Sequence, residues 1–155
     1  MNYEEYKKER QDEFNKLPIF FAFGNDQFRE AMEERGLTEN DTDKIYSLGY
    51  GGYYLRSDAD IIRGYFNKPD KLPELMQDYD FCKSAVLYEM GNHEYCINWQ
   101  ADYDVMSCFG DIKYTDSSDE LKQYFDTLNW SDMQRKAYLD ARMEYYKKAE
   151  ENGYI

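Results

Sequence analysis

Tyr3, Tyr6, Phe14 and Leu17 fall on roughly one helical face, with Glu and Lys filling most of the intervening positions, and this spacing predicts an amphipathic first helix ended by Pro18. Ile19-Phe20-Phe21-Ala22-Phe23 is a short apolar aromatic run and reads as a buried strand. Asn25 has the chemistry of an N-cap for a helix through Phe28 and Met32, which Gly36 closes and against which Leu37 folds back. Thr38-Glu39-Asn40-Asp41 looks like a second helix start, predicting a short helix with Ile45 and Leu48 inward and Gly49 at its end. In Gly49-Tyr50-Gly51-Gly52-Tyr53-Tyr54-Leu55 the glycines permit a turn, and Tyr53 to Leu55 form a strand leaving it.

Ser57 caps a further helix with Ile61, Ile62, Tyr65 and Phe66 as its apolar set, and Asn67 to Lys71 is a polar loop containing Pro69. Pro73 suits the first turn of a longer helix to about Met90, in which Leu75, Tyr79, Cys82, Val86 and Met90 form a stripe widened by Phe81, Ala85 and Tyr88. Such a helix belongs at the centre of the molecule, and Gly91 is placed to end it. Glu94 to Trp99 reads as a short extended segment, and Asn98 as the cap of a helix carrying Ala101, Val105, Cys108 and Phe109. Ser118 opens a helix with Leu121, Tyr124, Phe125 and Leu128, and Ser131 with Gln134 forms a capping box for a last helix carrying Met133, Ala137, Ala141 and Tyr145. The sum is a mostly helical α+β protein with a β element of roughly two to four short strands. Residues 1–155 read as a single globular domain, with Phe20 to Phe23 and the 73–90 helix buried in one core.

Length supports this reading, because 155 residues suffice to bury a core without disulfides or metal. Cys82, Cys96 and Cys108 are odd in number and irregularly spaced, which fits reduced thiols. No apolar run approaches a membrane span and the polar start lacks signal-peptide order, so the expected location is the cytoplasm.

Charge changes the picture most. Thirty-two acids stand against nineteen bases, a net charge of −13, in a chain with seventeen tyrosines. Such a field repels phosphate backbones and attracts basic protein surfaces, so direct nucleic-acid binding is not expected. Residues 81–120 hold eight acids and two bases, whereas 121–155 hold six of each, which locates the acidic surface in the middle of the chain. Tyrosine packs as a hydrophobe with a wet hydroxyl, a combination common at interfaces.

Four Asp-x-Asp pairs occur, at Asp41/Asp43, Asp58/Asp60, Asp78/Asp80 and Asp102/Asp104. On an extended segment each pair would set two carboxylates about 6–7 Å apart, near phosphate spacing and usable for a divalent metal. At helix starts, where three of them fall, the same acids simply complement the dipole. His93, the only histidine, sits beside Glu94 and suits a general acid or base oriented by that carboxylate, or a structural histidine. A Cys82/Cys96/Cys108/His93 metal set is the other arrangement, but only His93 and Cys96 form the close-spaced pair usual in metal sites, and Cys82 and Cys108 lie on apolar stripes and read as small buried hydrophobes, so no metal and no cofactor is expected. The Gly-Tyr tract lacks both a Gly-Lys-Ser/Thr ending and a Gly-x-Gly-x-x-Gly order, and no Gly-x-Ser-x-Gly elbow occurs.

Leu17-Pro18-Ile19-Phe20-Phe21-Ala22-Phe23, Gly36 through Ile45, Gly51-Gly52-Tyr53-Tyr54-Leu55 and Asn92-His93-Glu94-Tyr95 resemble a family of small uncharacterised proteins of bacteriophages and bacterial mobile elements. The resemblance covers roughly the first two thirds of the chain and brings no catalytic residues. It implies a genomic setting in which short acidic proteins block host defence, as anti-CRISPR and anti-restriction proteins do. Together with the charge, the expectation is a non-enzymatic inhibitor of a bacterial nucleic-acid-targeting defence protein, mimicking phosphates at a basic nucleic-acid-binding surface of a CRISPR effector or restriction enzyme. The expected contact residues are Glu89, Glu94, Asp102, Asp104, Asp111, Asp116 and Asp119, with Tyr50, Tyr53 and Tyr54 as anchors. The alternatives are a small enzyme using His93 and Glu94, or a soluble protein-binding adaptor whose charge serves solubility.

Overall fold

A computed structural model describes all residues from Met1 to Ile155. Helix α1 (Tyr3–Asn15) leads to β1 (Ile19–Phe21), α2 (Asn25–Glu34), β2 (Ile45–Gly49), β3 (Gly52–Leu55) and α3 (Ala59–Asn67). There follow α4 (Leu72–Leu75), α5 (Tyr79–Asn92), α6 (Ala101–Met106), α7 (Glu120–Thr127) and α8 (Asp132–Glu151). The architecture is mostly helical α+β with one small antiparallel sheet, as the sequence pattern predicts. No helix is long and apolar enough to cross a membrane.

The chain divides into two compact units, residues 9–69 and residues 1–8 with 70–155. In the first, strand order is β1-β3-β2, with Phe20 opposite Tyr53 and Tyr46 opposite Tyr54. Its core is Phe20, Met32 and Ile45, closed by Phe28, Leu37, Tyr53 and Leu55. Helix α2 ends as its sequence suggests: Gly36 takes φ 74° and the Leu37 N–H donates to the Met32 carbonyl at 2.9 Å. The expected helix at 42–49 is absent. Only a 3-10 turn at Thr42–Lys44 forms, and Ile45–Gly49 is a strand, because Tyr50 and Gly51 at φ 52° and 79° make a tight hairpin that pairs it with β3. A bulge between Ser47 and Gly49 shifts the register.

In the other unit α5 packs along α8. Cys82, Ala85, Val86 and Met90 of α5 meet Ala137, Tyr138 and Ala141 of α8 in a core that also takes Tyr3 and Tyr6 of α1, Val105 and Met106 of α6, and Phe125 and Trp130. Alanines on α8 let the helix axes approach, and aromatic rings fill the perimeter. The capping box at Ser131 is complete, with Ser131 Oγ accepting from the Gln134 N–H and Gln134 Oε1 accepting from the Ser131 N–H. The long helix expected from Pro73 is instead split. Asp78 Oδ2 accepts the Phe81 N–H at 2.9 Å and starts α5 afresh, and α5 runs through Gly91 to Asn92.

The expected single core is therefore corrected. Phe20 lies in one hydrophobic cluster, and Val86, with Tyr79 packed on it, in the other. Each apolar set is satisfied within its own unit, the larger one drawing Tyr3 and Tyr6 from the start of the chain, and composition alone does not reveal that partition.

Candidate functional site

Among polar and charged residues Glu89 alone is buried, at 1% exposure, on the inner face of α5 beside Ala85, Val86 and Met90. A carboxylate in such a place is tolerable only if both oxygens are satisfied. Oε1 accepts from the Tyr3 hydroxyl at 3.0 Å and from Lys7 Nζ at 2.8 Å. Oε2 lies 3.1 Å from Cys108 Sγ and 3.4 Å from His93 Nε2, and those two atoms are 3.5 Å apart. Each pair has a helical origin: Tyr3 and Lys7 are four apart on α1, as are Glu89 and His93 along and just beyond α5, while Cys108 comes from the 3-10 turn Ser107–Phe109 that follows α6. Lys7 also lies over the rings of Tyr3 and Tyr88.

Burial pushes the Glu89 carboxyl up, but the hydrogen bonds from Lys7, Cys108 and Tyr3 outweigh it and leave the group below the ordinary glutamate range. Burial, then the Glu89 hydrogen bond and charge, push the Cys108 thiol up to about 12. Cys108 is thus a thiol donating to a carboxylate, and it lacks the thiolate that nucleophilic catalysis requires. His93 meets Glu89, one helical turn earlier, in place of the expected Glu94. Cys82 is buried in the core, its thiol also pushed up to about 12 by burial, and Cys96 accepts from the Tyr145 hydroxyl at 3.5 Å. The four-residue Cys/His set is not brought together. What converges is one carboxylate oxygen, one imidazole nitrogen and one sulfur.

The acids expected at a partner surface separate into three groups. Glu89 is removed from that role by burial, because its carboxylate never reaches the surface. Asp102 and Asp104, in the first turn of α6, are half-buried and engaged internally: Asp102 Oδ1 accepts from Tyr95 and Tyr138, and Asp104 Oδ2 accepts from Asn98 Nδ2 at 2.8 Å. Glu94, Asp111, Asp116 and Asp119 are exposed, although Asp119 accepts from Ser117 Oγ and Gln123 Nε2 and is held below the usual aspartate range by them. Glu94 sits at φ 50° in a turn, not in an extended segment, with its carbonyl accepting from Ile97 and Asn98.

Of the three tyrosines, Tyr50 is 99% exposed at the hairpin tip, Tyr53 packs on Phe20 and Phe28 in the core of the 9–69 unit, and Tyr54 lies against Tyr46 on the sheet. They belong to a different unit from the acids. The acidic segment carries its own aromatics, which no local sequence pattern singles out: Trp99, 79% exposed, stands edge-on to Tyr114, which also meets Tyr103. The loop holding Asp111 and Asp116 is pinned by the buried Tyr124, whose hydroxyl accepts from the Thr115 N–H and donates to the Thr115 carbonyl.

The fold and site define a small acidic α+β protein with a buried carboxylate cluster and an acidic, aromatic surface. Residues 2–134 match a family of unknown function (DUF7659), to which the chain belongs; the match includes Tyr3, Lys7, Glu89, His93, Cys108 and the acidic segment. No curated protein matches the chain, and no solved structure does.

Proposed function

We propose that the protein works by binding a basic macromolecular surface through the acidic, aromatic segment from Glu94 to Asp116. One contrast carries this reading. Only two bases accompany the eight acids of residues 81–120, and the exposed Glu94, Asp111 and Asp116 form no ion pair. In residues 121–155, by contrast, six bases balance six acids, and Asp126, Asp140 and Glu144 are each bound to a lysine or arginine, with Asp132, Glu150 and Glu151 unpaired. Glu120 registers the resulting field: burial raises its carboxyl, and the negative charges of Asp102 and Asp116 raise it further. Unpaired acids beside an exposed tryptophan and a tyrosine suit a partner rich in arginine and lysine, with the rings as anchors.

A nucleic-acid-binding protein is the partner class with such a surface, and carboxylates would there occupy phosphate positions. Within that class we propose a bacterial nucleic-acid-targeting defence protein, a restriction enzyme or CRISPR effector, inhibited by occupation of its nucleic-acid channel; this narrower reading draws on the sequence resemblance. The test is affinity capture from a bacterial lysate with and without added duplex DNA or RNA. The account expects captured proteins that nucleic acid displaces and that rising salt releases, since exposed charges are screened over about 10 Å at 0.1 M. A partner retained in the presence of excess nucleic acid would contradict phosphate mimicry.

A further inference from the structure

We infer that Glu89, His93 and Cys108 form a site for a single borderline-soft divalent transition metal, zinc being the natural occupant. The inference is independent of the proposed binding function. Its first support is geometric. Glu89 Oε2, His93 Nε2 and Cys108 Sγ form a triangle with edges of 3.1, 3.4 and 3.5 Å. One tetrahedral zinc bound to oxygen, nitrogen and sulfur at ordinary lengths needs ligand separations of roughly 3.3–3.6 Å. Two edges match as they stand and the oxygen–sulfur edge opens slightly.

The second support is electrostatic. A buried carboxylate needs a counter-charge, and here Lys7 Nζ at 2.8 Å supplies it on Oε1, together with the Tyr3 hydroxyl. His93 is therefore not required as the counter-ion of Glu89. The division of labour between the oxygens is that of a metal carboxylate: Oε1 held by outer hydrogen bonds from Lys7 and Tyr3, Oε2 in contact with no lysine or arginine and turned toward His93 and Cys108. Access exists, since His93 is 31% exposed while Glu89 is buried. On binding, the Cys108 sulfur–hydrogen bond breaks, its proton leaves to solvent and the sulfur's electron pair bonds the metal. Three protein donors leave a fourth position for water. The donor set also selects the ion, because sulfur and imidazole favour zinc and cobalt over magnesium and calcium.

The experiment uses the full chain, stripped with chelator and titrated with cobalt(II) and then zinc(II). Wild type should bind one ion per chain, show the near-ultraviolet thiolate-to-cobalt charge-transfer band with the visible bands of four-coordinate cobalt, and lose both to zinc. Cys108→Ser should abolish the charge-transfer band and His93→Gln should weaken zinc binding by more than about 100-fold, beyond the 10–100-fold that outer-ligand changes cost. Cys96→Ser should keep both. Wild type lacking the sulfur band, or His93→Gln binding zinc as wild type does, overturns the site. The wild-type spectrum decides even if a variant fails to fold.

Discussion

Asp102 Oδ1 accepts hydrogen bonds from the hydroxyls of both Tyr95 and Tyr138, each at 2.5 Å. Tyr138 is fully buried on α8 and Tyr95 nearly so after α5, so a single carboxylate on α6 satisfies two phenols of the core. Removing the acceptor leaves both hydroxyls buried without it. Asp102→Ala should cost about 3 kcal/mol in denaturant unfolding, since hydrogen bonds to charged groups contribute roughly 1.5–3 kcal/mol each and relaxation recovers part. A loss below about 0.5 kcal/mol would show that the pair finds other partners.

The same hub sets the alkaline limit of the fold. Burial, and then the charge of Asp102, hold the Tyr95 and Tyr138 phenols protonated well above their ordinary value. An unfolded tyrosine ionises near pH 10, so above that pH the unfolded chain has lost protons that the folded chain keeps, and stability falls as pH rises. Unfolding free energy should be insensitive to these groups below about pH 9 and drop steeply between about pH 10 and 12, with a shallower drop in Tyr138→Phe. Equal slopes in the two proteins would remove Tyr138 from the account.

The β2–β3 hairpin depends on Gly51. Its φ is 79°, and an added Cβ would come within 2.7 Å of the Phe23 ring and 3.0 Å of the Ala22 carbonyl. Gly51→Ala should cost about 1–2 kcal/mol from the left-handed backbone alone. It should also reduce amide exchange protection across residues 45–55 more than along α5 or α8. Uniform protection would mean that the hairpin is not the weak point.

How far the sequence reached depends on how local each signal was. Gly36 with Leu37, and Ser131 with Gln134, form their bonds within a few residues, and both ends lie where the pattern put them. The 42–49 segment departs from its local pattern because Thr38 to Asp41 mimics a helix start, whereas pairing with β3 decides its conformation. Glu89 looked like one more surface acid, since an isolated Glu on a helix is usually solvated. Its spacing from His93 was the available signal: four residues on a helix face that otherwise reads apolar. Nothing local pointed to Tyr3, Lys7 and Cys108, which reach Glu89 from 86, 82 and 19 residues away. Trp99 and Tyr114 are fifteen residues apart and nothing local marks them as a pair, whereas the more conspicuous glycine-tyrosine tract puts its Tyr53 into the core.

Charge reversal tests the central claim most directly. Asp111 and Asp116 are exposed and unpaired in the acidic segment, while Glu150 and Glu151 are equally exposed and unpaired at the end of α8, where bases balance acids. Neither pair supports the core, in contrast to Asp102. Wild type, Asp111→Lys with Asp116→Lys, and Glu150→Lys with Glu151→Lys should each be immobilised and their captured proteins quantified at the same salt concentration. The account predicts that proteins with basic nucleic-acid-binding surfaces are retained by wild type and by the α8 double variant and depleted at least about tenfold on the Asp111/Asp116 variant, the effect of losing roughly 1.4 kcal/mol of binding. Equal retention by all three proteins would contradict binding through the acidic segment.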